Sequence, residues 1–180
     1  MGKQSTVMFA DADPVRVDPV TLEIVKNAFA SIADEMALVV LRSAYSPIVR
    51  DSMDYSTAVC GHDGKLVAQG LTNPIHLGSF PSVMKHIIAR FGDRMKPGDA
   101  FITNDPYGAG GMHLPDVYLI RPVFEGPSVE GYVCTIVHHA DIGGMAPGSM
   151  AGGMREIYQE GLRIPVVRLF RKGEIVQDIF

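Results

Sequence analysis

Three of the six histidines and three aspartates fall within one stretch, Asn104–Asp141. It opens NDPYGAGGMHLPD and closes VHHAD, and glycines or prolines bracket both clusters. Imidazole nitrogens and carboxylate oxygens that converge on one point are what a divalent metal ion needs. Between the clusters lie two apolar runs, Val117–Phe124 and Gly131–His138, joined by EGPSVE. Two such runs around a short Gly/Pro loop predict a β-hairpin. Folding about the middle of the loop sets Val117 opposite His138, to within about two residues. His113, Asp116, His138, His139 and Asp141 then gather at the open end of the hairpin.

Each motif has a plainer reading beside the chemical one. In HLPD the proline denies helix, so His113 and Asp116 sit on a turn that leads into a strand. An isolated H-x-x-D is a weak signal, but this one follows a glycine run and faces a second His/Asp cluster. The adjacent His138 and His139 point to opposite faces of a strand, and periodicity does not choose between them. The run Tyr107–Gly111 (YGAGG) offers bare backbone N–H groups for a phosphate. It lacks the Lys-Ser/Thr ending of a P-loop and no helix follows, so a tight turn beside His113 explains it better. Asn104-Asp105-Pro106 is a good turn by itself. No G-x-S-x-G elbow marks a serine nucleophile. Cys60 and Cys134 lie inside apolar strand-like runs and read as small buried hydrophobes.

The elements that must position these residues follow from the rest of the chain. The 180 residues are 47% hydrophobic and 20% charged, an ordinary globular balance with room for a sizeable core. The net charge of -4, without a basic cluster, argues against nucleic acid and anionic membrane surfaces. No apolar run has the length of a membrane span and the N-terminus lacks a signal-peptide core, so the expected location is cytoplasmic. Residues 1–17 read as a flexible arm. Asp18-Pro19 starts a long amphipathic helix reaching about Tyr45. Its stripe Leu22, Val25, Phe29, Ile32, Met36 and Val39 is expected in the core. Asp63-Gly64 predicts a hairpin turn, and Asp51 and Asp54 lie on the approach to its first strand. A loop containing His76 follows, then a short helix over Val83–Phe91 capped by Ser82, a turn at Lys96–Asp99 and a strand at Ala100–Thr103. Beyond VHHAD, the Gly/Met-rich segment reads as a loop packed over a site or against a partner. REIYQEGLRIP reads as a short helix before a last strand. The apolar run still in progress at Phe180 suggests a longer polypeptide. The expected fold class is α+β, with a mixed, largely antiparallel sheet.

Six blocks in order, SMDYSTAVC, DGKLVAQG, PIHLGSFP, NDPYGAGGMHLPD, VHHADIGG and EIYQEGLRIP, resemble the N-terminal part of the hydantoinase B/oxoprolinase family. The resemblance covers 18–180 and implies the metal-binding part of a longer catalytic subunit. It implies a cytoplasmic hetero-oligomer in which a hydantoinase A-type subunit binds ATP and activates a small-molecule cyclic amide, of the hydantoin or 5-oxoproline kind. The B-type subunit, carrying one divalent metal ion (Zn, Mn or Fe), then completes hydrolysis. Related members carboxylate a ketone instead, and a non-catalytic metal-holding assembly role is the remaining alternative. The family's ligands correspond to His113, Asp116 and His138, with a further carboxylate at Asp51 or, as the alternate, Asp54. Asp141 and His139 are candidates for supporting the ligands by hydrogen bonds or for acid/base work.

Overall fold

Asp18 begins the first element as expected: its carboxylate accepts the Thr21 N–H at 2.9 Å, and Pro19 opens helix α1, Pro19–Ser43. The computed structural model describes residues 17–179, so the arm read over 1–17 lies outside the described residues except for Val17. A short helix α2, Pro47–Arg50, leads into strand β1, Tyr55–Gly61, which turns at Asp63-Gly64 into β2, Leu66–Gln69. Gly64 has φ +79°, the left-handed backbone this tight turn requires. Helix α3, Phe80–Phe91, precedes β3, Ala100–Thr103, and the long strands β4, Asp116–Glu125, and β5, Ser128–His138. Strands β6, Val167–Arg171, and β7, Glu174–Ile175, complete a seven-stranded sheet in the order β2-β1-β5-β4-β3-β6-β7. Every pairing is antiparallel, and the fold is α+β.

Alternation along β4 and β5 sets which side chains are buried. Tyr118 and Ile120 share a face with Tyr132, Cys134 and Ile136, and α3 covers that face with Phe80, Val83, Met84 and Ile87. Cys60 and Cys134 are free thiols inside this core. The opposite face carries a smaller cluster of Ala37, Val49 and Tyr55 beneath α1 and α2.

Three local expectations are corrected. The line that α1 buries runs through Ala33 and Ala37, with Val40 and Leu41 half-buried, while Leu22, Val25, Ile32 and Val39 are exposed among the described residues. Small residues are what this contact demands. A Cβ added to Gly70, just after β2, would meet the Ala33 carbonyl oxygen at 2.7 Å, and Thr57 Oγ1 donates to that same oxygen at 2.8 Å. Helix α3 begins at Phe80 with Pro81 in its first turn, so Ser82 is helical and caps nothing. The expected helix after Arg155 is one 3-10 turn, Ile157–Gln159, which Gly161 at φ +134° follows.

The displaced packing line yields a test. Gly70→Ala should lower the free energy of unfolding by about 2 kcal/mol through overpacking, whereas Leu22→Ala should change it by less than about 0.5 kcal/mol. Denaturant titration of the two variants reads both values. A large loss at Leu22 would restore the expected stripe.

Candidate metal centre

The β4–β5 register pairs Asp116 with His138, one residue from the expected pairing with Val117. Both therefore sit at the end of the same side-chain ladder as the core residues Tyr118 and Ile136, facing α3. The ladder resolves the choice between the adjacent histidines. His138 is buried, and His139, just past the strand, is exposed with its N–H bonded to the Pro115 carbonyl at 2.8 Å. The His138 N–H donates to the Asp54 carbonyl at 3.0 Å, which ties the start of β1 to the site.

His113 arrives on a turn closed by the Asp116 N–H to His113 carbonyl bond, 3.1 Å. That turn is held from below. Leu114 is fully buried, and its carbonyl accepts from Asn104 Nδ2 at 2.7 Å. The same amide bonds the Leu162 carbonyl at 2.9 Å and takes the Ile164 N–H at 2.6 Å. Asp105 organises the glycine run: its carboxylate accepts from Tyr107 and Gly108, its carbonyl from Ala109 and Gly111, and Arg163 pairs with it at 3.1 Å. These internal bonds engage the N–H groups a phosphate would need, which agrees with the turn reading of YGAGG.

Asp116 is the centre of the arrangement. Its carboxylate is 3.1 Å from His113 Nε2 and 3.2 Å from His138 Nδ1, and the two rings stack with centroids 5.1 Å apart. One ligand atom from each of the three residues lies within 4.8 Å of the others. Burial pushes the Asp116 carboxyl up, but the hydrogen bonds from His113 and His138 outweigh it and hold its pKa at about 2. The bond to Asp116 raises His113 against burial, whereas burial lowers His76.

A cavity of about 350 Å³ opens over this triad, walled by Ile75, Met112 and Met150 on its apolar side. Met150 belongs to the Gly/Met-rich loop, which borders the cavity at this exposed residue. Two further polar residues line the cavity, Asp54 and His76. Left-handed Met53, φ +53°, follows the end of α2 and directly precedes Asp54. Asp51 is elsewhere: it is exposed and pairs with Arg50 at 2.9 Å, so Asp54 is the carboxylate that the structure brings to the cavity. Asp141 does not line the cavity either. It braces the loop, accepting from the Gly143 and Gly148 N–H groups and from Ser149 Oγ. His139 is likewise outside the lining. His76 is the residue that sequence reasoning passed over; its one signal was a histidine in a Pro/Gly-punctuated loop.

The residues present fit a divalent cation. Asp116 is 2% exposed, and among the described residues its charge is faced only by imidazoles, with no lysine or arginine beside it. Nitrogen and oxygen donors without thiolate suit Zn, Mn or Fe(II).

A pH dependence follows for the metal-free chain. Asp116 titrates at about 2 when folded against an ordinary 3.8, so its contribution is complete above pH 3.8 and is lost as pH falls through about 2. That contribution is about 2 kcal/mol. His113 has the opposite sign: its raised value adds stability below 6.5 that is lost as pH rises through the folded value. Unfolding titrations at a series of pH values should show wild type and Asp116→Asn diverging as pH rises from about 2 to about 4. Parallel curves would contradict the ionised, imidazole-bonded state of Asp116.

The hydantoinase B/oxoprolinase family profile matches residues 18–180. Caprolactamase subunit beta of Pseudomonas jessenii is 38% identical over 164 residues, 91% of this chain and 28% of its own length. The 5-oxoprolinase of Dictyostelium discoideum is 33% identical over 98% of this chain and 13% of its own length. A crystal structure of ATP-dependent caprolactamase from Pseudomonas jessenii superposes with a TM-score of 0.78 at 35% identity, covering 91% of this chain and 28% of that one. Nucleotide-free acetone carboxylase shares the fold, with a TM-score of 0.81 at 22% identity over 89% of this chain and 21% of that one. The chain thus spans under a third of the length of these relatives. Matched over 18–180 and along nearly all of its described fold, it belongs to the hydantoinase B/oxoprolinase family.

Proposed function

We propose that the chain is the metal-binding part of a B-type subunit in an ATP-dependent cyclic-amide hydrolase, working on a substrate activated by an ATPase partner of the hydantoinase A type. The observation that carries this reading is a buried carboxylate, Asp116, with imidazole nitrogens of His113 and His138 at 3.1 and 3.2 Å, in a chain of this family. His113, Asp116 and His138 would hold one divalent ion, with Asp54 as the flanking carboxylate. Bound there, the ion would supply Lewis acidity, lowering the pKa of a water and polarising the amide carbonyl.

The chain's own residues define the rest. In the metal-free chain Asp116 stays ionised throughout the neutral range and holds both imidazoles in place, at His113 Nε2 and His138 Nδ1. Asn104 holds the HLPD turn at Leu114, so His113 has a fixed origin for its side chain. Ile75, Met112 and Met150 give the cavity an apolar wall that suits the methylene carbons of a lactam or hydantoin ring. ATP chemistry belongs on the partner: in the Tyr107–Gly111 run beside the site, the N–H groups of Tyr107, Gly108, Ala109 and Gly111 are bonded to Asp105. A hetero-oligomer is also what the relative's designation as a caprolactamase subunit suggests.

The test uses the full-length protein with its ATPase partner. Elemental analysis should find one metal ion per chain that His113→Ala and Asp116→Asn each remove, and both variants should lose product formation by about 100-fold or more. Stoichiometric metal retained in both variants would sink the ligand assignment. Consumption of a ketone that depends on bicarbonate, without ring opening of hydantoin, 5-oxoproline or a lactam, would move the reading to carboxylation.

A further inference from the structure

His76 enters the cavity from a 3-10 turn, Pro74–Ser79, and its side chain is 3% exposed. Ser56 on β1 lies against it. The Ser56 hydroxyl is 2.5 Å from the Asn73 carbonyl oxygen and 3.0 Å from His76 Nδ1. A carbonyl only accepts, so the single hydroxyl proton lies on the Asn73 side. Nδ1–H therefore donates to Ser56 Oγ, and the neutral ring carries its lone pair on Nε2.

That lone pair faces oxygen. Nε2 is 3.4 Å from Asp54 Oδ1 and 3.7 Å from Asp116 Oδ2. Both separations exceed an N–H···O hydrogen bond, about 2.7–3.2 Å. They are close to the edge between two donors of one cation, since bonds of about 2.0–2.1 Å at tetrahedral angles set donor atoms about 3.4 Å apart. A lone pair on a buried ring held against two carboxylate oxygens, one of them on the buried Asp116, is repelled unless a cation lies between them.

We propose that His76 Nε2 is a further ligand of the metal ion, entering on the flank that Asp54 occupies, with Ser56 and the Asn73 carbonyl fixing its tautomer. It rests on the metal reading given above, and it extends the donor set to a third imidazole outside the tight triad of His113, Asp116 and His138. The arrangement explains a buried serine and histidine that no other part of the fold uses. Ser56 is fully buried on the strand that ties Asp54 to His138, so the hydrogen-bond chain Asn73–Ser56–His76 runs from the loop into the cavity. It is the outer support that a ligating histidine ordinarily has on its second nitrogen.

The full-length protein loaded with cadmium-113 tests this directly by NMR. Ring protons of three histidines should show scalar coupling to the metal, and His76→Gln should leave two. Ser56→Ala keeps the imidazole but frees its tautomer, and it should weaken cadmium affinity by about 10- to 100-fold in chelator competition with the circular dichroism unchanged. Coupling confined to His113 and His138, with Ser56→Ala binding as tightly as wild type, would overturn the proposal while leaving the triad intact. A protein that takes up no cadmium would overturn the metal reading and this ligand with it.

Discussion

The site depends on one constraint, the register that sets Asp116 opposite His138 across β4 and β5. Side chains on a strand alternate, so a slip of one residue sends every one of them to the other face. Here the same face carries Tyr118, Ile120, Tyr132, Cys134 and Ile136 into the core under α3. The core and the candidate ligands Asp116 and His138 are thus rungs of a single ladder, and burying the aromatic and aliphatic rungs fixes where the polar ones stand. The distal turn keeps this register, with Gly126 in the left-handed region at φ +55° and a bulge between Val123 and Phe124.

A buried carboxylate without a basic partner is costly, and the fold meets that cost locally. Two imidazoles bond Asp116, and the backbone around it is tied from three directions: the HLPD turn to Asn104, the start of β1 to the His138 N–H, and the chain after β5 to Pro115. Those ties leave the donor atoms pointing into a cavity and not into the core. Preorganisation of this kind is what lets a cation bind without reordering its ligands.

Much of this was legible in the sequence because it is local. Apolar alternation found the hairpin, Asp63-Gly64 found its neighbour, and Asp18-Pro19 found the start of α1. The three residues of the triad stood out through their types and the strands between them. What sequence patterns missed is set by contacts distant along the chain. Helix α1 carries apolar residues on more than one side, and the approach of Gly70 to Ala33 and of Val49 and Tyr55 to Ala37 buries the alanine line. Asp51 and Asp54 are three positions apart, and the left-handed Met53 between them separates an exposed ion pair from a cavity wall. Asp141 looked like a catalytic carboxylate and braces a glycine turn, a use of aspartate that spacing does not separate from chemistry. His76 reaches the site through a bond to Ser56, 20 residues away on another element.

Anomalous diffraction from crystals of the full-length protein grown with Zn or Mn tests the central claim most directly. The account predicts a single strong peak per chain within about 2.0–2.2 Å of one donor atom each from His113, Asp116 and His138, absent in Asp116→Asn. A peak elsewhere on the chain, or one that survives loss of the Asp116 carboxylate, would contradict it.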